Sequence, residues 1–429
     1  MSHNLPEILH KLNPNLPAGI NESAIPRIPR DSNALRQLRA HVSADPYAKM
    51  LLTGHIGVGK STELLYLAQE MNAERFVIKC SIAQTFGVHN LDTFSLLLII
   101  LEASIRAWLE RIGELPPDLI EELVNHLKKW QPKQHVSELS LADTLSELVN
   151  QSPDERPKSS HLLALYSQTL HRFALRCVPT QQIATLELSA ITVSCEMVLK
   201  ALEKQAGQSI LLIIDDLDKI RDEQTQIDLF LDRAMAWLHL PCSFVATLPL
   251  DVLFSQWGRE LDYIWGDVQI LEPLPVPLFQ AEKSLEDLAL QFYLNLLRSF
   301  EADKVITGLQ CRKLAHLSSG LPRQFVRLCS TCVRYAFDAS EKHVRDYQIN
   351  LAQHDLIALW RSRLNEEDYD ILASVIDLGA NVPKALHLLR DNLLIRDGNA
   401  DDNHQFRLAS WTVKLVETYQ QRKLQGKKN

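Results

Sequence analysis

The segment LLTGHIGVGKSTELL (residues 51–65) begins as an apolar run, passes through three glycines and continues in a helical pattern. The chain has only 14 glycines among its 429 residues, so three glycines in so short a segment call for a physical reason. A loop that wraps phosphate oxygens with its own N–H groups needs glycine wherever a side chain would block the approach. The segment therefore predicts an anion-binding turn between a strand and a helix.

The pattern G-x-x-x-x-G-K-[ST] assigns a role to several positions of this loop. Lys60 is expected to reach the β- and γ-phosphates of a nucleotide, and the Ser61 hydroxyl to take one site on Mg²⁺. The positive end of the following helix favours an anion. The predicted nucleotide-binding residues are Gly54, His55, Ile56, Gly57, Val58, Gly59, Lys60, Ser61 and Thr62. The strand before and the helix after favour this interpretation over a plain glycine turn.

A second element is an apolar strand that ends in acid, in the segment SILLIIDDLDKI (residues 209–220). A continuous apolar run is typical of a strand buried on both faces of a parallel sheet. Asp215 is predicted to order the Mg²⁺ shell, and Asp216 to polarise an attacking water. The alternative is that these acids only end a strand and begin a helix, which is the interpretation that we favour for Asp218.

Helical patterns alternate with buried strands along the chain, which predicts an α/β fold with three layers, as in P-loop NTPases. The last part has a helix, a second helix and a hairpin, in the order typical of a winged helix. We predict an N-terminal segment (1–45), an ATPase core (46–277) with a helical insertion (about 85–205), a helical lid (278–345), and a winged-helix-like domain with a basic tail (346–429).

The segments GHIGVGKSTELLYLA (54–68) and IIDDLDK (213–219) together resemble the AAA+ branch (ASCE type) of P-loop ATPases, and in particular the bacterial STAND-like ATPases. This resemblance implies ATP as the nucleotide and Mg²⁺ as its metal. It also implies that Thr247, at the end of a later strand, senses the γ-phosphate. Arg323, in a GLPR segment of the lid, is similar to the arginine that contacts nucleotide in such families, and adenine would lie near residues 28–35.

Two features depart from the AAA+ pattern. The stretch between Lys60 and Asp215 is much longer than in compact AAA+ domains, which indicates the helical insertion. Asp216 replaces the usual glutamate, as is common among STAND relatives, which implies slow hydrolysis and a nucleotide that acts as a switch. No arginine stands out as a finger for a neighbouring subunit, and Arg259 is the best candidate.

The predicted winged-helix-like domain has two competing uses. A DNA reader needs basic residues on its recognition helix and wing. The presumed recognition helix offers Lys384, His387 and Arg390. The presumed wing offers Asp397, Asp401 and Asp402, whose charge is wrong for a phosphate backbone. The tail adds Arg422, Lys423, Lys427 and Lys428. These charges favour a protein-contacting or autoinhibitory module over a DNA reader.

Composition excludes several other classes of protein. The net charge of −8 argues against a nucleic-acid coat. The start of the sequence lacks the signal-peptide pattern, and the strongest apolar run (94–101) is too short to span a bilayer, which predicts a cytoplasmic protein without membrane contact. Seven scattered cysteines fit a reducing compartment. The pair Cys329 and Cys332 lies in an apolar helical pattern and is interpreted as core packing.

The function predicted from these features is that of a regulatory ATPase switch. It would couple ATP binding and slow Mg²⁺-dependent hydrolysis to conformational change and assembly, in bacterial conflict with phage or plasmids. Its partners would be ATP and either an effector protein or further copies of itself. One alternative is an AAA+ DNA-transaction factor, such as an initiator or a transposition-type loader. Another is a scaffold that binds ATP without turnover.

Overall fold

Five parallel strands form the central sheet of the computed structural model, which describes residues 5–14, 28, 30, 32–82, 91–119, 121–123, 185–266, 268–275, 283–375, 382–396 and 406–426. The strands are β1 (Lys49–Thr53), β2 (Phe76–Ser81), β3 (Ile210–Asp215), β4 (Ser243–Thr247) and β5 (Val268–Ile270). Their order across the sheet is β2-β3-β4-β1-β5, and each neighbouring pair is parallel. The predicted α/β class is confirmed.

Helices cover both faces of this sheet. Successive side chains of a strand point to opposite faces, and β3 illustrates the result. Leu211 and Ile213 join one hydrophobic cluster, while Ile210, Leu212 and Ile214 join a second cluster. Because both sets are apolar, the strand is buried between two layers of helices. On the first face lie α1 (Leu5–Lys11), α2 (Asn33–Ala44) and α3 (Lys60–Met71).

The second face is covered by two long helices, α4 (Thr93–Arg111) and α5 (Thr185–Ala206), which pack on each other. The apolar run at 94–101 lies inside α4, and its side chains are buried. These helices are the described ends of the predicted insertion, and residues 124–184 lie outside the described residues. Across the described part of the chain, no helix has the length and apolar character needed to cross a membrane.

Short helices connect β3, β4 and β5. They are α6 (Glu223–Ile227), α7 (Met235–Leu238), α8 (Leu250–Leu253) and α9 (Gly258–Trp265). After the sheet come three longer helices, α10 (Lys283–Ser299), α11 (Gly308–Leu317) and α12 (Pro322–Asp338). Cys329 and Cys332 lie in α12 as fully buried free thiols, in agreement with the core-packing interpretation.

The remaining elements, which we call the C-terminal unit (residues 346–426), are mainly helical. They are α13 (Asp346–Arg361), α14 (Glu366–Ala373), α15 (Leu386–Arg390), β6 (Leu394–Arg396), β7 (Phe406–Leu408) and α16 (Val413–Gly426). Strands β6 and β7 pair antiparallel as a hairpin. The presumed recognition helix, α15, is only five residues long and follows a 3-10 turn, Val382–Ala385. Asp397, Asp401 and Asp402 lie outside the described residues.

Candidate functional site

The glycine-rich loop joins β1 to α3 at the carboxyl edge of the sheet. Gly54 and Gly57 have φ values of 147° and 83°, a region that L side chains avoid. A Cβ on Gly54 would lie 2.5 Å from the Leu271 carbonyl oxygen, and one on Gly57 would lie 2.8 Å from the Arg323 Cβ. Both conformation and space therefore require glycine here, as the phosphate-cradle interpretation expects.

The Lys60 ammonium is buried below this loop. Its Nζ lies 2.7 Å from the Gly54 carbonyl oxygen and 3.1 Å from that of His55. It also forms an ion pair with Asp218, with Nζ 2.8 Å from Oδ2. The side chain is only 4% exposed. An ammonium has three donors, and here each has an acceptor on the protein.

Asp215 ends β3 beside the first turn of α3. Its carboxylate accepts hydrogen bonds from the Ser61 hydroxyl and, at 2.8 Å, from the Asp216 amide. Burial raises the pKa of Asp215 to about 6, the nearby Asp216 and Asp218 carboxylates add to the rise, and the Ser61 bond opposes it. The Ser61 hydroxyl and the Asp215 carboxylate are hard oxygen ligands, which Mg²⁺ prefers. Further carboxylates near Asp215 add negative charge that a cation would offset. Ser61 and Asp215 would hold the ion and allow it to offset this charge.

Asp216 is also brought to this edge, but its carboxylate has partners on both oxygens. The Ser81 hydroxyl donates to Oδ2 at 2.7 Å, and Lys219 pairs with Oδ1. The backbone of Asp216 is left-handed, with φ of 76°, and the residue as a whole is 5% exposed. A carboxylate oxygen can accept more than one hydrogen bond, so Asp216 could bind an attacking water while it keeps both partners.

Thr247 ends β4, the strand between β1 and β3. Its hydroxyl accepts from the Asp218 amide at 3.3 Å, and the residue is fully buried. Thr247 thus lies at the same edge as Lys60 and the acidic residues, and contacts the short 3-10 turn Leu217–Lys219 that carries Asp218. Asp218 is the middle residue of this turn and not its first, and the local sequence gave no sign that its carboxylate reaches Lys60.

Arg323 meets the loop through its backbone. The Arg323 amide donates to the Gly57 carbonyl oxygen at 3.1 Å, and the aliphatic part of its side chain packs near Gly57. Pro322 occupies the first turn of α12, where its missing N–H has no cost. The predicted lid residue is therefore next to the loop, and its side chain remains exposed.

His55 has an additional role that the sequence did not indicate. Its buried ring lies 3.0 Å through Nδ1 from Asn392 Oδ1, and its Nε2 accepts from the Arg396 amide at 2.9 Å. Burial lowers the pKa of His55 to about 3, against the bond from Asn392, which raises it. The ring is therefore neutral, with the proton on Nδ1, and it ties the loop to the C-terminal unit.

This pKa predicts a pH-dependent stability. Between pH 3 and 6.5 the unfolded chain binds a proton at His55 that the folded chain does not, so stability rises with pH in this window and is fully present above it. The slope is at most about 1.4 kcal/mol per pH unit. We expect urea denaturation at pH 7.5 and at pH 5 to show that the free energy of unfolding falls less on acidification for His55→Gln than for wild type. The exposed control His239→Gln should behave as wild type, and equal slopes for all three would contradict the buried neutral ring.

Further ion pairs hold the C-terminal unit on the core. Arg390 donates through Nε to Asp251 at 2.9 Å, Asp391 pairs with Arg221 at 3.3 Å, and Arg396 pairs with Glu272. The Asp251 side chain is 5% exposed, so this contact is largely buried.

Several residues considered for DNA contact are bonded within the chain. His387 lies 2.6 Å from Asp368, and Lys423 lies 2.5 Å from Asp370. Lys384 and Arg422 are exposed, whereas Lys427 and Lys428 lie outside the described residues. Arg259, the candidate finger, is exposed in the first turn of α9.

Three solved structures illustrate what the chain is similar to. The Walker-type ATPase PABY2304 of Pyrococcus abyssi is 14% identical over 95% of this chain and 99% of its own, with a TM-score of 0.45. Cdc6p from Pyrobaculum aerophilum is 14% identical over 92% and 83%, with a TM-score of 0.39. The Aeropyrum pernix ORC2 protein is 12% identical over 97% and 98%, with a TM-score of 0.40. Because these identities and TM-scores are low, the fold of this chain is assigned from its own parallel sheet and glycine-rich loop.

No family model and no curated protein matches the sequence.

Proposed function

We propose that this chain is an ATP-binding regulatory ATPase of the AAA+ type, in which Mg²⁺-ATP at the loop before α3 controls the docking of the C-terminal unit. One observation carries the proposal: Lys60, Ser61 and Asp215 converge at the glycine-rich loop, and the same loop is hydrogen-bonded to the C-terminal unit through His55. A triphosphate at this loop would therefore contact these three residues and also affect the bond between the loop and the C-terminal unit.

The residues support distinct roles in binding and hydrolysis. The first N–H groups of α3 have no partner within the helix and are available to bind an anion. Lys60 would exchange one of its three acceptors for a phosphate oxygen, and Ser61 with Asp215 would hold Mg²⁺, which neutralises charge on the phosphates. Asp216 would orient water, and Thr247 and Arg323 would contact the γ-phosphate region. The aspartate at position 216, in place of the glutamate usual in AAA+ enzymes, supports slow hydrolysis.

The finer classification rests on the motif resemblance alone. On that ground we place the chain among STAND-type switches, with a role in defence against phage or plasmids and an effector protein or self-assembly as output. The helix, helix and hairpin order of the C-terminal unit supports a winged-helix-like domain, and α10–α12 support a lid. We propose that both are regulatory units of the switch. Sizing the protein with and without a non-hydrolysable ATP analogue tests this, because a switch changes its size or shape.

The DNA-transaction alternative has one supporting observation, the element order of the C-terminal unit, and it makes a different prediction. Because Arg390 and His387 are paired with acids of the chain, we expect weak duplex binding, no tighter than about 1 µM at physiological salt. Lys384→Glu should change this affinity by less than about twofold, as should the control Lys79→Glu on β2. Nanomolar binding that falls steeply with salt and is lost only in Lys384→Glu would favour the alternative.

A further inference from the structure

Three consecutive carbonyl groups of the glycine-rich loop accept hydrogen bonds from three distant parts of the chain. The Asn392 side-chain amide donates to the Ile56 oxygen at 3.0 Å. The Arg323 backbone amide donates to the Gly57 oxygen at 3.1 Å. The Arg30 guanidinium donates to the Val58 oxygen at 2.7 Å. The loop is thus held from outside by the C-terminal unit, the α12 start and the segment before α2.

These bonds set the direction of the amides that a phosphate would meet. In a planar trans peptide the C=O of one residue and the N–H of the next point in opposite directions. A donor that holds the Ile56 carbonyl therefore turns the Gly57 N–H away from that donor, and Arg30 does the same for the Gly59 N–H. The Val58 N–H lies between them and donates back to the His55 oxygen at 3.2 Å, which closes the turn.

Asn392 is suited to this contact in conformation and in chemistry. It adopts a left-handed backbone, with φ of 61°, which asparagine tolerates better than most residues. Its Oδ1 accepts from the His55 ring, and its Nδ2 donates to the Ile56 oxygen. The Arg396 amide occupies the other ring nitrogen, so the ring must offer its proton to Asn392. The whole amide is therefore used to hold two consecutive loop residues.

We infer that Asn392 is a positioning residue of the nucleotide site, which fixes the Ile56 carbonyl so that the Gly57 amide faces the phosphates. This inference rests on the proposed function. It makes docking of the C-terminal unit and nucleotide binding mutually favourable, because a ligand that binds better to one state must stabilise that state. The C-terminal unit thus completes the site and does not compete with nucleotide.

Asn392→Gly removes both side-chain bonds and keeps the left-handed backbone without strain. We expect Mg²⁺-ATP to bind this variant 5- to 20-fold more weakly than wild type in calorimetry, which is within the usual range of coupling between sites. Ser340→Gly is the matched control, because Ser340 has φ of 56° and lies exposed after α12. Its affinity should equal that of wild type. Unchanged or tighter binding by Asn392→Gly would overturn the inference.

Hydrogen exchange measured without added nucleotide separates this inference from the proposed function. We expect the Val58 amide to exchange faster in Asn392→Gly, roughly 5- to 20-fold, and to be unchanged in Ser340→Gly. Equal exchange in all three proteins would overturn the positioning role even if wild type binds ATP. Faster exchange together with no ATP binding by wild type would support the contact and remove the proposed function. If Asn392→Gly fails to fold, Asn392→Asp provides the same test, because it keeps the acceptor for His55 but cannot donate to Ile56.

Discussion

Lys60→Ala is expected to abolish measurable Mg²⁺-ATP binding, with a loss of affinity of at least about 100-fold. The Nζ atom is the buried cation of the loop, 2.7 Å from the Gly54 oxygen and 2.8 Å from Asp218. Hydrogen bonds to charged groups contribute about 1.5–3 kcal/mol each, and the lysine would make more than one with the phosphates. Equilibrium binding of a fluorescent ATP analogue in millimolar Mg²⁺ measures the loss.

A Lys60→Ala protein that does not bind nucleotide must be distinguished from one that does not fold. Removal of Lys60 leaves the mostly covered Asp218, whose side chain is 11% exposed, without its ion-pair partner, and loss of one partner of a buried pair destabilises proteins by about 3–5 kcal/mol. The double variant Lys60→Ala/Asp218→Asn removes that charge as well, and should fold while still failing to bind. Lys79→Ala, at an exposed position of β2, should bind as wild type. Wild-type affinity in a folded Lys60 variant would show that the loop is not the phosphate site.

Asp215→Asn should stabilise the folded chain while removing its response to Mg²⁺. The pKa of Asp215 is raised from 3.8 to about 6, mainly by burial and then by Asp216 and Asp218. Because the pKa of Asp215 is higher in the folded chain than in the unfolded chain, ionisation of this carboxyl destabilises the fold. The variant, which cannot ionise, should therefore show no gain in the free energy of unfolding below pH 4 and the full gain above pH 6. Each pKa unit corresponds to about 1.4 kcal/mol, which sets an expected gain of about 1–3 kcal/mol in urea denaturation at pH 7.

Asp222→Asn is the contrasting control for this prediction. Asp222 caps α6 and accepts from the Thr225 amide and hydroxyl, which lowers its pKa. Its ionised form is therefore favoured, and its replacement should not stabilise the chain at pH 7. With Mg²⁺-ATP present, wild type should gain stability by ligand binding, and Asp215→Asn should gain much less. If Asp215→Asn were less stable than wild type without ligand, this would contradict the claim that burial and nearby negative charge disfavour the ionised carboxylate.

The parts of the candidate site whose spacing is local could be proposed from the sequence. Gly54, Lys60 and Ser61 belong to one short motif, and Asp215 follows an apolar run, so each could be found without a fold. The parallel sheet then brings the two segments together, because the carboxyl ends of parallel strands share an edge. The class of fold followed from the alternation of helices and buried strands.

The remaining contacts could not be predicted because they depend on pairing across long sequence distances. His55 and Asn392 are 337 positions apart, and no motif links them. Asn392 has a polar side chain in a turn, which is common in any protein. Asp218 was interpreted from its neighbours as a helix-start residue, while its contact with Lys60 depends on how the 3-10 turn after β3 meets the loop.

A structure of the full chain with a non-hydrolysable ATP analogue, and with Mn²⁺ in place of Mg²⁺, would show whether the glycine-rich loop holds the triphosphate. We expect the triphosphate to lie against the amides of residues 57–62, with the anomalous signal of Mn²⁺ beside Ser61 and Asp215. Nucleotide bound at another surface, or a metal signal away from these two residues, would contradict it.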